Sequence, residues 1–151
     1  MLRGSLSEAL KTSMKAKEKR NVATLRLILA ALKDRDIAAR SKGNLDGVSD
    51  DEILSMLQSM IKQRRESIGF YEKGGRLELA KQENEEIEII ESFLPEQLGE
   101  KEMTEVIEAT IKELKAGALK DMGRTMAALK ENYSGRMDFS KAGAMVKDRL
   151  G

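Results

Sequence analysis

The sequence predicts an all-α protein in which N-terminal helices with a long αα-hairpin are followed by a C-terminal three-helix bundle. Its 151 residues contain one proline, while the good helix formers Ala, Leu, Lys and Glu are abundant. No run of alternating β-branched residues argues for a strand. Apolar residues instead recur at spacings of three and four, the signature of a helix with one buried face. With 3% aromatic residues, no Trp and nine Met, the cores must be built from aliphatic side chains and thioethers.

Ser5 or Ser7 can cap a first helix, with Leu6, Leu10 and Met14 on its apolar face and Lys11, Lys15 and Lys17 opposite. Lys17–Asn21 reads as a kink or short link. A second helix then buries Val22, Leu25, Ile28, Leu29 and Leu32 and exposes Arg26, Lys33 and Arg35. Ser41–Gly47 is a loop. Ser49 and Glu52 have capping-box spacing, and Asp50–Glu52 place acids at a positive helix start. The third helix, Asp50 to Lys73, carries Ile53, Leu57, Met60, Ile61, Ile68 and Tyr71 inward and ends at Gly74-Gly75. A fourth helix from Arg76 returns antiparallel with Leu77, Ala80, Ile87, Ile90 and Leu94 inward, completing the hairpin.

Pro95 marks the domain boundary, giving a unit over 1–95 and a second over 96–151. Met103, Val106, Ile107, Thr110, Ile111 and Leu114 mark the fifth helix. Leu119, Met122, Met126, Leu129 and Tyr133 mark the sixth, which breaks at Asn132–Gly135. Asp138 or Ser140 can cap the last, with Ala142, Met145, Val146 and Leu150 inward. Gly123 inside the sixth helix costs about 1 kcal/mol relative to Ala. Close helix packing at that position is the expectation, with approach of a ligand as the alternative.

Composition removes several chemistries. The chain has no Cys and no His, so disulfides, thiolate nucleophiles and the commonest metal ligand are all missing. Glu83, Glu85, Glu86, Glu88 and Glu91 read as a solvated acidic face, and no metal or cofactor is expected. Lys62, Arg64 and Arg65 read as an exposed face paired with nearby acids. No phosphate-binding loop or dinucleotide fingerprint is present, and no catalytic constellation is found. Neither a signal-peptide run nor a membrane span is seen, so a soluble, cytoplasmic protein is the expectation.

The net charge of +1 hides a division along the chain. Residues 1–47 carry 11 basic and 5 acidic side chains, residues 48–98 carry 6 and 12, and residues 99–151 carry 10 and 9. Within the last segment, residues 115–151 hold 8 basic against 4 acidic. Here Lys120, Arg124, Lys130 and Arg136 flank a turn containing Gly135, an arrangement suited to phosphate. Arg136 has a second reading, in which it pairs with Asp138 or caps carbonyls of the turn.

Lys120-Asp121-Met122-Gly123-Arg124, with Met126 and then Gly135-Arg136 and Asp138, resembles the GatB/YqeY domain. Thr24-Leu25-Arg26, Lys62–Ser67 and Phe93–Leu98 extend the resemblance to free-standing YqeY-like proteins, over nearly the whole chain. That domain also forms the tail of the B subunit of the tRNA-dependent amidotransferase, where it helps hold the tRNA body. The resemblance therefore implies a non-catalytic tRNA-binding or tRNA-positioning accessory, with Lys120, Arg124, Lys130, Gly135, Arg136 and Lys141 facing RNA. Two departures stand out. Gly99 replaces a frequent Ser before the fifth helix, and Phe139-Ser140 occupies a place where a Lys is common, a charge Lys141 can supply instead. Two further readings stay open: a protein–protein adaptor using the hairpin, and an accessory of an amidotransferase whose nucleophile lies on other subunits.

Overall fold

A computed structural model describes residues 1–151. It is all-α, with seven helices and no strand, and forms two compact units, Met1–Leu94 and Pro95–Gly151.

The first unit contains α1 (Leu2–Lys15), α2 (Lys19–Ser41), α3 (Asp50–Lys73) and α4 (Leu77–Glu91). Neither serine starts α1. The helix begins at Leu2, and the Ser5 hydroxyl donates back to the Met1 carbonyl. Met14, expected inward, is half exposed. The link is shorter than expected, Ala16–Glu18, with Lys17 left-handed at φ 59°, so Asn21 already belongs to α2. Glu52 N–H donates to Ser49 Oγ, and Ser49 N–H to Glu52 Oε1, which completes the capping box at the start of α3. The α3–α4 pair forms the hairpin, turning through Gly74 and Gly75. Leu77 departs from its expected place and is 65% exposed. It is the first residue of α4, whereas Ala80, one turn on, is buried.

Leu6, Leu25, Ile28, Ile53, Leu57 and Ile90 form the fully buried centre, each contributing about 1.5–3 kcal/mol by leaving water. Met56, which the periodicity missed, joins them at 1% exposure. The acids of α4 divide between solvent and interior. Glu88 and Glu91 are exposed, Glu83 and Glu85 are half-buried, and Glu86 is buried. Arg64 likewise is no surface residue, its side chain being 13% exposed. It donates to Glu86 at 3.0 Å and to the Met60 carbonyl, with Glu83 at 3.8 Å. Burial, followed by the neighbouring Glu86 charge, raises the Glu83 pKa against the pull of Arg64.

A second polar clasp closes the α2–α3 loop. Arg3 of α1 donates to both Asp36 oxygens and to the Val48 carbonyl, and Asp36 also accepts the Val48 N–H. Gly47 lies under this clasp at φ 85°, and a Cβ there would sit 2.7 Å from Asp36 Oδ1. A larger residue would be strained by the positive φ and would push the clasp apart. The Arg3 hydrogen bond, then that from Val48, holds the Asp36 pKa down to about 2 from 3.8.

The second unit contains α5 (Glu100–Leu114), a 3-10 turn at Leu119–Asp121, α6 (Met122–Asn132) and α7 (Phe139–Leu150). Gly99 precedes α5 without a side-chain cap, and Asp138 caps α7 by accepting from the N–H groups of Ser140 and Lys141. Ile107, Leu129, Ala142 and Val146 are fully buried at the centre of this bundle. Leu119, expected on the apolar face, is 51% exposed, because the 3-10 turn changes the register before α6 begins.

Two measurements check the first unit. Thr24 Oγ1 is buried without a partner, so Thr24→Val should raise the unfolding free energy by about 1 kcal/mol in urea titration. A depressed carboxyl pKa stabilises the fold above its unfolded value, and that stability is lost as pH falls through the folded one. Melting temperature should therefore fall more steeply between about pH 4 and pH 2 in the native chain than in Asp36→Asn.

Candidate nucleic-acid interface

The six basic-edge residues lie at opposite ends of α6. Lys120 and Arg124 stand at its start, while Lys130, Gly135, Arg136 and Lys141 gather where α6 turns into α7. The 11-residue helix between them is about 16 Å long.

Three of the cations already have internal work. Arg124 donates to the Leu114 carbonyl at 2.7 Å, closing the end of α5, and to Asp121 at 3.1 Å. Asp121 also accepts the N–H groups of Gly117 and Ala118. The Gly117 hydrogen bond leads the causes that lower its pKa. Asp121 is thus a loop clamp. Lys141 pairs with Glu100 of α5 at 3.3 Å.

Arg136 satisfies neither half of its second reading as written. Its Nε donates 3.0 Å to the carbonyl of Glu96, forty residues earlier, and its guanidinium lies 5.9 Å over the Tyr133 ring. Leu98 N–H donates to the Arg136 carbonyl, and Gln97 Nε2 to that of Gly135. The segment after Pro95 is thereby stitched to the α6–α7 turn. Gly135 is buried with φ 74°, a conformation costly for residues with a Cβ. No residue pattern foretells this clasp, because its acceptors are backbone carbonyls.

Lys120 and Lys130 remain exposed without an ion pair. Gly123 and Ala127 are exposed between them in sequence, Lys120 standing on the 3-10 turn before α6 and Lys130 in the last turns of α6. A Cβ at Gly123 would meet nothing within 4 Å, so the expectation of close packing there is overturned. The glycine that faces a neighbouring helix is Gly143, where a Cβ would lie 3.8 Å from the methyls of Met122 and Met126. The α6 edge therefore carries two free lysines, one on the turn before the helix and one near its end, with the exposed Gly123 and Ala127 between them.

No three carboxylate, His or Cys side chains converge on a possible metal position, and no helix is long and apolar enough to cross a membrane.

These features define an all-helical protein of two small units, the second a three-helix bundle with a basic outer helix. Residues 3–150 match the family described as Yqey-like protein. The chain belongs to that family. A Schizosaccharomyces pombe protein described as uncharacterised is 30% identical over 95 residues, 63% of this chain and 73% of that protein. The Altered inheritance of mitochondria protein 41, mitochondrial, of Eremothecium gossypii is 36% identical over 89 residues. Its counterpart in Lachancea thermotolerans is 36% identical over 90 residues. These matches cover 59% and 60% of this chain, and the chain spans about half the length of those mitochondrial relatives, 46% in each.

Because Gly123 faces open space, Gly123→Ala should stabilise the protein by up to about 1 kcal/mol through helix propensity alone, read from the urea midpoint. Destabilisation would mean that the position is packed.

Proposed function

We propose that this protein is a non-catalytic RNA-positioning accessory that holds the phosphate backbone of tRNA along the outer face of α6. The observation that carries this reading is the pair Lys120 and Lys130, exposed and without carboxylate partners, on either side of Gly123 and Ala127. Lysines of this kind bind phosphates and release counterions. The bare helix surface between them lets a backbone come close. Contacts of this type fix position and shape with little reading of bases.

Arg124, Arg136 and Lys141 act in this reading mainly as supports that hold the flanking turns. A cytoplasmic site of action accompanies it, while the names of the Eremothecium and Lachancea relatives place those proteins in mitochondria. A part in amidation would depend on other subunits to supply the nucleophile. The adaptor reading draws on a different observation, Phe70 and Leu77 at the hairpin end, which are 74% and 65% exposed.

The test is tRNA binding by fluorescence anisotropy across a salt series centred on about 150 mM, where exposed charges are well screened. In Lys120→Ala/Lys130→Ala, binding should weaken and the log–log salt slope should shrink by about 1.4 to 1.8. Arg136 is a poor choice for such a variant, since its removal breaks the clasp. Native affinity no greater than that of a control helical protein would end the reading.

A further inference from the structure

The chain's unpartnered arginines are confined to one helix. Of eleven arginines, eight hold a carboxylate or a carbonyl oxygen. The other three, Arg26, Arg35 and Arg40, all lie on α2 and form neither a hydrogen bond nor an ion pair. Arg40 acts on Asp36 only through its field, Asp36 being occupied by Arg3 and Val48. In a chain with 26 acidic residues, this is a local exception.

Two of these arginines belong to a regular ridge. Lys19, Arg26, Lys33 and Arg40 recur every seven residues, are exposed and have no ion partner. Two turns of helix separate each from the next, about 10.5 Å. A second row runs beside it at the same period, Ala23, Ala30 and Ile37, also exposed, with Leu27 at its edge. Ile37 and Leu27 are 52% and 49% exposed. The opposite face of α2 is the buried one, carrying Thr24, Leu25, Ile28 and Leu32. The outward face thus alternates a cation with a small or aliphatic residue at spacings of four and three, over about 31 Å.

We infer that the outer face of α2 is a docking surface for an acidic amphipathic helix of a partner protein. An α-helix carrying a carboxylate and an apolar residue in each heptad has the same 10.5 Å or so repeat, so four charge pairs and three apolar contacts form in one register. Ala23 and Ala30 let a second helix approach closely. A nucleic-acid backbone offers charge at far closer intervals and gives no reason for Ile37 and Leu27 to stand in the row. A second copy of this chain does not supply the match either. On α4, the acidic helix, Glu78 and Glu85 share the seven-residue step, but Ser92 follows and Glu85 already pairs with Arg20. The single acid on the flank of the face, Asp34, is exposed and disfavours partners that are acidic along that edge.

The test uses a synthetic 21-residue helix with Leu and Ala on one strip and Glu at every seventh position beside it. Its counterpart has Lys at those positions. Binding is followed by fluorescence anisotropy at low salt. The Glu peptide should bind the native protein, and bind Arg26→Glu/Lys33→Glu at least about tenfold more weakly. The Lys peptide should bind that variant and not the native chain. Arg35→Glu, which reverses one cation on another face of α2, should leave Glu-peptide affinity within twofold, whereas Arg26→Glu alone should weaken it at least about threefold. Circular dichroism tracks folding, and both substituted side chains on the ridge are exposed. The inference fails if the native chain does not bind the Glu peptide, or if Arg35→Glu weakens binding as much as the ridge variant. It also fails if the ridge variant loses affinity for tRNA while keeping the peptide. Lys120 and Lys130 are untouched throughout, so this outcome is separate from that of the tRNA reading.

Discussion

The Arg64–Glu86 pair is the constraint on which the first unit turns. Both side chains are at least 87% buried, and removing one partner of such a pair leaves an uncompensated charge, at a cost of about 3–5 kcal/mol. The pair joins α3 to α4 at a single register. Arg20 of α2 extends it, lying 4.0 Å from Glu86 and 3.3 Å from Glu85. Aliphatic side chains can slide past each other by a turn with modest loss, whereas a buried guanidinium has one place to go. The pair therefore specifies which turn faces which, while the Leu and Ile side chains supply the bulk of the stability.

Much of this fold was legible because helices announce themselves locally. The capping box at Ser49 and the glycines at 74 and 75 fixed α3 to the residue. The errors came where local rules compete. Ser5 and Ser7 are good caps, yet the helix runs on upstream to Leu2. Leu77 fits the apolar period of α4, but as the first residue of that helix it stays exposed while Ala80, one turn on, is buried. The acids of α4 looked alike in sequence; only the position of Arg64 on a separate helix decides that Glu86 turns inward while Glu88 stays in water.

The basic edge was legible as composition and misleading as geometry. Lys120, Arg124, Lys130, Arg136 and Lys141 are equivalent charges in a sequence. In the fold, Arg124 is committed to the end of α5 and Arg136 to a carbonyl forty residues away. Arginine's several donors let one side chain hold a carbonyl together with a carboxylate or a ring, and two lysines are left as the free charges of the edge. Gly123 shows the same limit: its presence was informative, and what it faces was not.

The contact between α6 and α7 rests on sulfur. Gly143 opens a slot that the methyl groups of Met122 and Met126 approach, and Met103 and Met137 are buried in the same core. Thioethers fill irregular space well, but each can be converted to a polar sulfoxide. Met122, Met126 and Met145 are only partly buried, so peroxide can reach them from water. A chain without cysteine is therefore still sensitive to oxidants, and oxidation of these three would loosen the hold of α6 on its neighbour.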